Sequence, residues 1–278
     1  MGENKLSIRK LKRSIQSGCS DRQRDFVLYH IRQIRRVRFW QISIFLIFIA
    51  AWEITTRAGI VDPFVFSSPS RLAACFAELS SDGSVYYHIG VTLLETFLSF
   101  FFIMFFGIAA AVLLWWNHTV AKVCEPYLVV LNSLPKTALA PVFIVWLGNN
   151  MKTIIVAAVS VAVFGSIITL YTAFCSVEEE KIKLIRTLGG SRIDILRYII
   201  LPGNAHTIVS NMKVNIGLSL VGVIIGEFLA ANAGLGYLIV YGSQVFKLDY
   251  VMLSIVILCI VATGLYKALE AVEKYFCK

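Results

Sequence analysis

The sequence predicts an all-α protein that crosses a lipid bilayer about six times. Three observations carry this. Hydrophobic residues make up 58% of the 278 positions, charged residues only 15%, and mean hydropathy is +0.75, whereas soluble domains are roughly a quarter charged. The apolar residues gather into blocks close to the ~20 residues that a helix rising 1.5 Å per residue needs to cross ~30 Å of hydrocarbon. Lysine and arginine divide 21 to 4 between the two sides of the implied topology, with Lys136 inside a span. The positive-inside rule then places both termini in the cytoplasm.

Residues 1–38 are polar and hold eleven Lys or Arg, closing on Arg32, Arg35, Arg36 and Arg38; they read as a basic cytoplasmic segment facing anionic headgroups. Phe39 to about Arg57 is the first span. The polar stretch before it is too long for a signal peptide and no small-residue cleavage site follows, so the span reads as uncleaved. Pro63, Ser68-Pro69 and the Asp82-Gly83 turn mark residues 58–90 as an external loop, with Arg71–Leu79 an interfacial amphipathic helix capped by Ser70. The first span and this loop form one segment over residues 39–84.

The second span runs from about Val91 to Trp115, with Trp115 and Trp116 suited to headgroup level and Glu95 near enough to its start for interfacial solvation. A polar link over Asn117–Glu125 follows. The third block, Pro126–Leu147, contains Pro135 and Pro141. Each lacks an N–H donor and clashes with the preceding turn, so this span is kinked or broken. A break at membrane depth survives only where protein or a water-filled cavity satisfies the freed backbone groups. Gly148-Asn149-Asn150 turns the chain outside, and Thr153–Phe174 returns it. The fifth span covers about Val214–Ala231, a Gly-rich outer loop Asn232–Asp249, and the sixth span Val251 to about Leu269.

Between the fourth and fifth spans lies a long polar interruption, residues 176–206. Glu178–Gly203 reads as two short helices. Ile182, Leu184, Ile185 and Leu188 form an apolar stripe backed by Lys183 and Arg186, and Gly189-Gly190 ends the first helix. Ser191 with Asp194 three residues later is a capping-box start for the second, which carries Ile193, Leu196 and Ile199 and stops at Pro202-Gly203. A helix-break-helix on the cytoplasmic face offers an amphipathic docking surface to a partner protein.

Several function classes are excluded. The six cysteines and four histidines are scattered, with no Cys-x-x-Cys pair and no metal-ligand spacing, so neither a zinc site nor a Cys/His nucleophile is written here. No catalytic residue, metal or cofactor is expected. The net charge of +9 sits beside apolar spans, which points to membrane topology and not to nucleic acid. No Gly-x-x-x-x-Gly-Lys-Ser/Thr loop is present, so the chain does not hydrolyse ATP by that chemistry. Gly234 and Gly236 lack the strand and third glycine of a nucleotide fingerprint and mark a turn. An ion-gradient secondary transporter, the alternative from another class, needs paired intramembrane carboxylates or inverted repeats, and the sequence displays neither. Two charges inside spans keep two readings each. Lys136, between Pro135 and Pro141, either lines a pathway that attracts an anionic solute or binds carbonyls freed by the prolines. Glu227 either takes part in transport or packs in a hydrogen bond.

The segment Gly189, nine residues, Ile199, one residue, Leu201-Pro202 resembles the cytoplasmic loop motif of permease subunits in binding-protein-dependent ABC importers. Where that motif usually begins Glu-Ala-Ala, this chain has Lys183, Leu184 and Ile185. The likeness covers roughly residues 60–276 and looks closest to the nitrate, sulfonate and taurine branch, through Leu134-Pro135-Lys136, Ala140-Pro141, Trp146-Leu147-Gly148, Leu201-Pro202-Gly203, Gly226-Glu227 and Gly234-Leu235-Gly236. That branch also includes permeases for thiamine precursors and riboflavin. The resemblance implies a type I ABC importer permease fold with its permease domain over residues 85–272, in a bacterial cytoplasmic membrane. It implies a separate ATPase subunit docking on the loop, an external solute-binding protein, and a second permease copy around a central path. Energy would then enter through Lys183, Arg186, Leu188, Gly189, Gly190, Ser191, Ile199, Leu201 and Pro202.

Overall fold

A computed structural model of the chain describes the backbone of residues 21–276 and the side chains of residues 28–274. The first part of the expected basic segment, residues 1–20, lies outside the described residues. Among the described residues all regular structure is helical. The helices are α1 (Asp21–Arg57), α2 (Pro63–Phe66), α3 (Pro69–Ser81), α4 (Ser84–Trp116), α5 (His118–Ser133), α6 (Lys136–Leu147), α7 (Met151–Cys175), α8 (Glu179–Thr187), α9 (Arg192–Ile195), α10 (Ala205–Ala230), α11 (Leu235–Gln244) and α12 (Leu248–Phe276). Five of them are long and apolar enough to cross a membrane (α1, α4, α7, α10 and α12), and the pair α5–α6, bent by 94°, is apolar enough for a sixth, as a broken span or a re-entrant loop.

The described residues divide into two compact units, one up to residue 71 and the other from residue 72. In the first, α1 ends at a polar knot. The Glu53 carboxylate accepts from Arg57 Nε (2.6 Å), Ser70 N (3.1 Å) and Ser70 Oγ (2.9 Å), and Asp62 caps α2 by accepting from Phe64 N. Ser70 is therefore not the cap expected for the interfacial helix. Ser68 takes that place, its Oγ accepting from Arg71 N at 3.3 Å, and α3 starts at Pro69 because proline fits the first helical turn.

In the second unit α7 packs along both α4 and α10, and α4 also meets α10. Close approach explains this trio. A Cβ on Gly222 would lie 2.6 Å from Ala158 Cα, and one on Gly107 would lie 2.7 Å from Ser166 Oγ. In lipid, where apolar burial between helices gains little, such small-residue contacts and interhelical hydrogen bonds hold spans together. Ser166 Oγ accepts from Asn211 Nδ2 (2.7 Å) and Asn215 Nδ2 (3.0 Å), joining α7 to α10. Lys213 and Glu273 form an ion pair that joins α10 to α12. Large apolar side chains such as Phe101, Phe105, Val145 and Trp146 stay exposed, as expected where lipid or another apolar surface replaces water.

Several boundaries differ from expectation. The polar link over 117–125 is helix: Asn117 Oδ1 accepts from Thr119 N and Val120 N, so this one residue caps α5 and the following charges belong to its early turns. The third block breaks at Leu134-Pro135, where α5 and α6 meet at 94°, while Pro126 and Pro141 are absorbed inside helices. Pro202-Gly203 does not stop the second elbow helix. α9 continues as a π-helical turn, Leu196–Ile200, and a helical turn, Leu201–Gly203, reaching α10 through Asn204 alone. Leu201 N donates to Leu196 O, the wider spacing by which a helix passes a residue with no N–H. The Gly-rich loop expected over Asn232–Asp249 contains α11, whose Leu235 and Leu238 are buried.

Candidate functional site

The elbow between α7 and α10 is built from its capping. α8 opens with Glu179 and Glu180 and closes with Arg186, each on the favourable end of the helix dipole. Gly189 has φ +82°, its N–H reaches Arg186 O at 3.0 Å, and Gly190 N reaches Ile185 O at 2.9 Å. This is a Schellman ending, which needs a left-handed residue at its first position past the cap. Ser191 then starts α9 with the expected capping box: Asp194 N donates to Ser191 Oγ (3.3 Å) and Ser191 N donates to Asp194 Oδ2 (2.8 Å). Hydrogen bonds from the Ser191 hydroxyl and backbone hold the Asp194 carboxyl below the usual aspartate value of 3.8.

The apolar stripe of α8 divides between two faces. Ile182 and Ile185 pack on a buried cluster of Ala111, Leu170, Phe174, Ile195 and Ile200, joined by Leu196 and Leu201. Leu184 and Leu188, four residues apart on the other side, are 58% and 75% exposed. Ile199 and Leu201 are half-buried and Pro202 is exposed. Lys183 pairs with Glu179 at 3.1 Å on the surface. The elbow is thus keyed into the ends of α4 and α7 on one side and bare on the other.

Lys136 sits at the break between α5 and α6. Its Nζ donates to Leu131 O and to Asn132 O (2.9 Å), and lies 5.7 Å from the Phe164 ring centre. Leu131 O is the carbonyl that residue 135 would satisfy in a continuous helix. Pro135 lacks that N–H, so the ammonium supplies the donor. The carbonyl reading of Lys136 therefore describes its contacts. Around it Asn132, Ser133, Pro135 and Thr137 are exposed.

Glu227 lies near the opposite end of the bundle. Its Oε1 accepts from Thr92 Oγ1 at 2.6 Å and its Oε2 from Gly236 N at 2.5 Å. Leu235 N donates to Thr92 Oγ1 (2.8 Å), and Gly234 N to His88 Nδ1 (3.0 Å). Three successive N–H groups opening α11, which a helix start leaves unpaired, are thus taken by side chains from α4 and α10. A Cβ on Gly234 would collide with this carboxylate, and one on Gly236 would lie 2.7 Å from Oε2. The two glycines clear room for Glu227. Of its two readings, packing in hydrogen bonds is the one these contacts describe.

Two expectations are overturned here. Glu95 is not solvated at an interface but only 2% exposed, and its carboxyl lies in hydrogen-bonding reach of Glu227. The bundle does hold a pair of carboxyl groups, one on α4 and one on α10, invisible in the sequence because 131 positions lie between them. Glu95 Oε2 and Ser99 Oγ are buried without a hydrogen-bond partner among the described residues. Lys136 and Glu227 share no partner among the described residues.

The family of binding-protein-dependent transport system inner membrane components matches residues 103–272. The formylaminopyrimidine transport permease protein ThiX of Halalkalibacterium halodurans is 26% identical over 193 residues, covering 69% of this chain and 76% of that protein. The taurine transport system permease protein TauC of Escherichia coli is 21% identical over 234 residues, covering 82% and 85%. In fold, the chain is similar to the MetNI methionine ABC transporter in an inward-facing conformation, with a TM-score of 0.62 at 20% identity over 69% of this chain and 95% of that one.

Proposed function

This chain belongs to the family of binding-protein-dependent transport system inner membrane components, the permeases of ABC importers, and on that premise we propose that it moves a small anionic solute through the bacterial cytoplasmic membrane. The observation that carries the proposal is the elbow: a capped helix whose inner face is locked to α4 and α7 and whose outer face leaves Leu184 and Leu188 bare. Such a surface receives work from outside the chain. A separate cytoplasmic ATPase docks there, and closure of an ATPase pair moves two elbows together and turns the path between two permease copies outward. An extracytoplasmic binding protein delivers solute to the end that carries α11. Both termini of the permease lie in the cytoplasm.

The solute class follows from Lys136. Its ammonium stands at the break between α5 and α6, among exposed Asn132, Ser133 and Thr137, and is held by two carbonyls and no carboxylate among the described residues. A sulfonate such as taurine, or nitrate, meets a positive field there. The likeness to a formylaminopyrimidine permease keeps a second substrate reading, a thiamine precursor, in view. Purified binding protein presented with taurine, alkanesulfonates, nitrate and formylaminopyrimidine decides between them by the ligand that it retains and that drives ATP-dependent uptake in proteoliposomes. Uptake that ignores ATP and collapses with an ionophore would establish the secondary-carrier alternative instead.

A further inference from the structure

We infer that a cavity between the α4–α5 corner and the elbow is a headgroup site for an anionic phospholipid. The cavity measures about 570 Å³. Trp116, Asn117 and His118 line it from the α4–α5 corner, and Arg186, Arg192 and Ile195 from the elbow. No carboxylate lines it among the described residues. The nearby lysines of α8 are neutralised, Lys181 by Glu178 and Lys183 by Glu179, whereas neither arginine of the cavity pairs with a carboxylate among the described residues. Arg192 is fastened at the rim, its Nη1 donating to Trp116 O at 3.3 Å.

Position decides in favour of lipid. The cavity opens where α4 ends on two tryptophans, side chains that settle at headgroup depth. Its half-apolar lining suits the glycerol region below a phosphate, and basic pockets between spans on a cytoplasmic face take up anionic headgroups. The docking face of α8 lies elsewhere: residues 182 and 186 stand on one side of the helix, 184 and 188 about half a turn away. A lipid in this cavity therefore leaves Leu184 and Leu188 free. It also bridges the elbow to the α4–α5 corner, so lipid charge tunes how stiffly the elbow is seated. This requires the elbow to lie at the cytoplasmic leaflet but does not depend on the solute.

The test uses the permease extracted with its ATPase partner, stripped of lipid and titrated with phosphatidylglycerol or phosphatidylcholine, with native mass spectrometry counting bound lipid. One phosphatidylglycerol per permease chain is expected, with phosphatidylcholine about thirtyfold weaker, as two basic contacts imply. Arg186→Gln with Arg192→Gln should lower phosphatidylglycerol retention about thirtyfold, and the double Lys variant should keep most of it. Should the double Gln variant fail to assemble, Arg192→Gln alone carries the test, with about a fivefold loss expected. Equal retention of both lipids, wild-type retention by the Gln variants, or displacement by excess inorganic phosphate each overturns the inference.

Discussion

Removing the Glu227 carboxylate should release α11 from the bundle. In Glu227→Ala, Thr92 Oγ1 and Gly236 N each lose an acceptor at 2.5–2.6 Å, inside a site where Thr92 is 0% and Glu227 1% exposed. A buried donor left unpaired costs about 1–3 kcal/mol, so the pair costs about 2–6 kcal/mol. The Thr92 hydroxyl is also the acceptor for Leu235 N, so its reorientation weakens the opening of α11 further. Glu227→Gln should cost about half as much, because its carbonyl serves one donor while its NH₂ faces another. Glu95→Gln is the control. Its amide donates toward Glu227, and stability should stay within about 1 kcal/mol of wild type. The assay is maleimide labelling of Leu235→Cys, a position 0% exposed, together with thermal unfolding in detergent. A cost of about 2 kcal/mol corresponds to labelling about thirtyfold faster in Glu227→Ala. Unchanged labelling and melting in Glu227→Ala, or equal effects of the two Gln variants, would refute the assignment of Glu227 as the anchor of α11.

Other outcomes follow from the elbow and the break. Gly189→Ala forces a Cβ into the left-handed region at a local cost of about 1–2 kcal/mol, and Gly189→Pro also removes the N–H on Arg186 O. ATP hydrolysis should continue while uptake falls, most severely for the proline variant and for Pro202→Asp, with membrane insertion intact in fractionation. Lys136→Met leaves Leu131 O and Asn132 O without their donor and removes the positive field, so uptake of an anionic solute should fall; wild-type uptake with an intact fold would end the pathway role. The Asp194 carboxyl lies below its usual value of 3.8 through its bonds to Ser191. Its contribution to the elbow is therefore present above that pH and lost as pH falls through the lower, folded value. Protection of the Ser191 amide, measured as its exchange rate relative to the intrinsic rate at each pH, should fall on acidification below about 3.8, and Asp194→Ala should lack that protection at all pH and lose that dependence.

The six spans and the elbow were legible because each is local. Apolar length marks α4, α7, α10 and α12, and Ser191 with Asp194 encodes a cap within four residues. Pro135 was readable as a break, yet Pro126 and Pro141 carry the same local signal and lie inside helices. What separates them is tertiary. Lys136 satisfies the carbonyls freed at 135 and lets the chain turn there. α11 was hidden because Gly234 and Gly236 look like turn residues, when their role is to admit the carboxylate of Glu227. The Glu95–Glu227 contact was beyond reach for the same reason: it exists only once α4 and α10 pack on α7. Pro202 misled in the opposite direction, since a π-helical turn absorbs a residue that in a plain helix would end it.

Photocrosslinking from Leu188, the most exposed apolar side chain of the elbow at 75%, tests most directly whether this surface takes up mechanical work. In membranes containing the assembled transporter, a photoreactive residue at position 188 should capture the ATPase subunit, and the yield should change between ATP-free and ATP-bound states. Labelling of that position by a membrane-impermeant reagent from the external side, or repeated failure to capture any ATPase while transport proceeds, would contradict it.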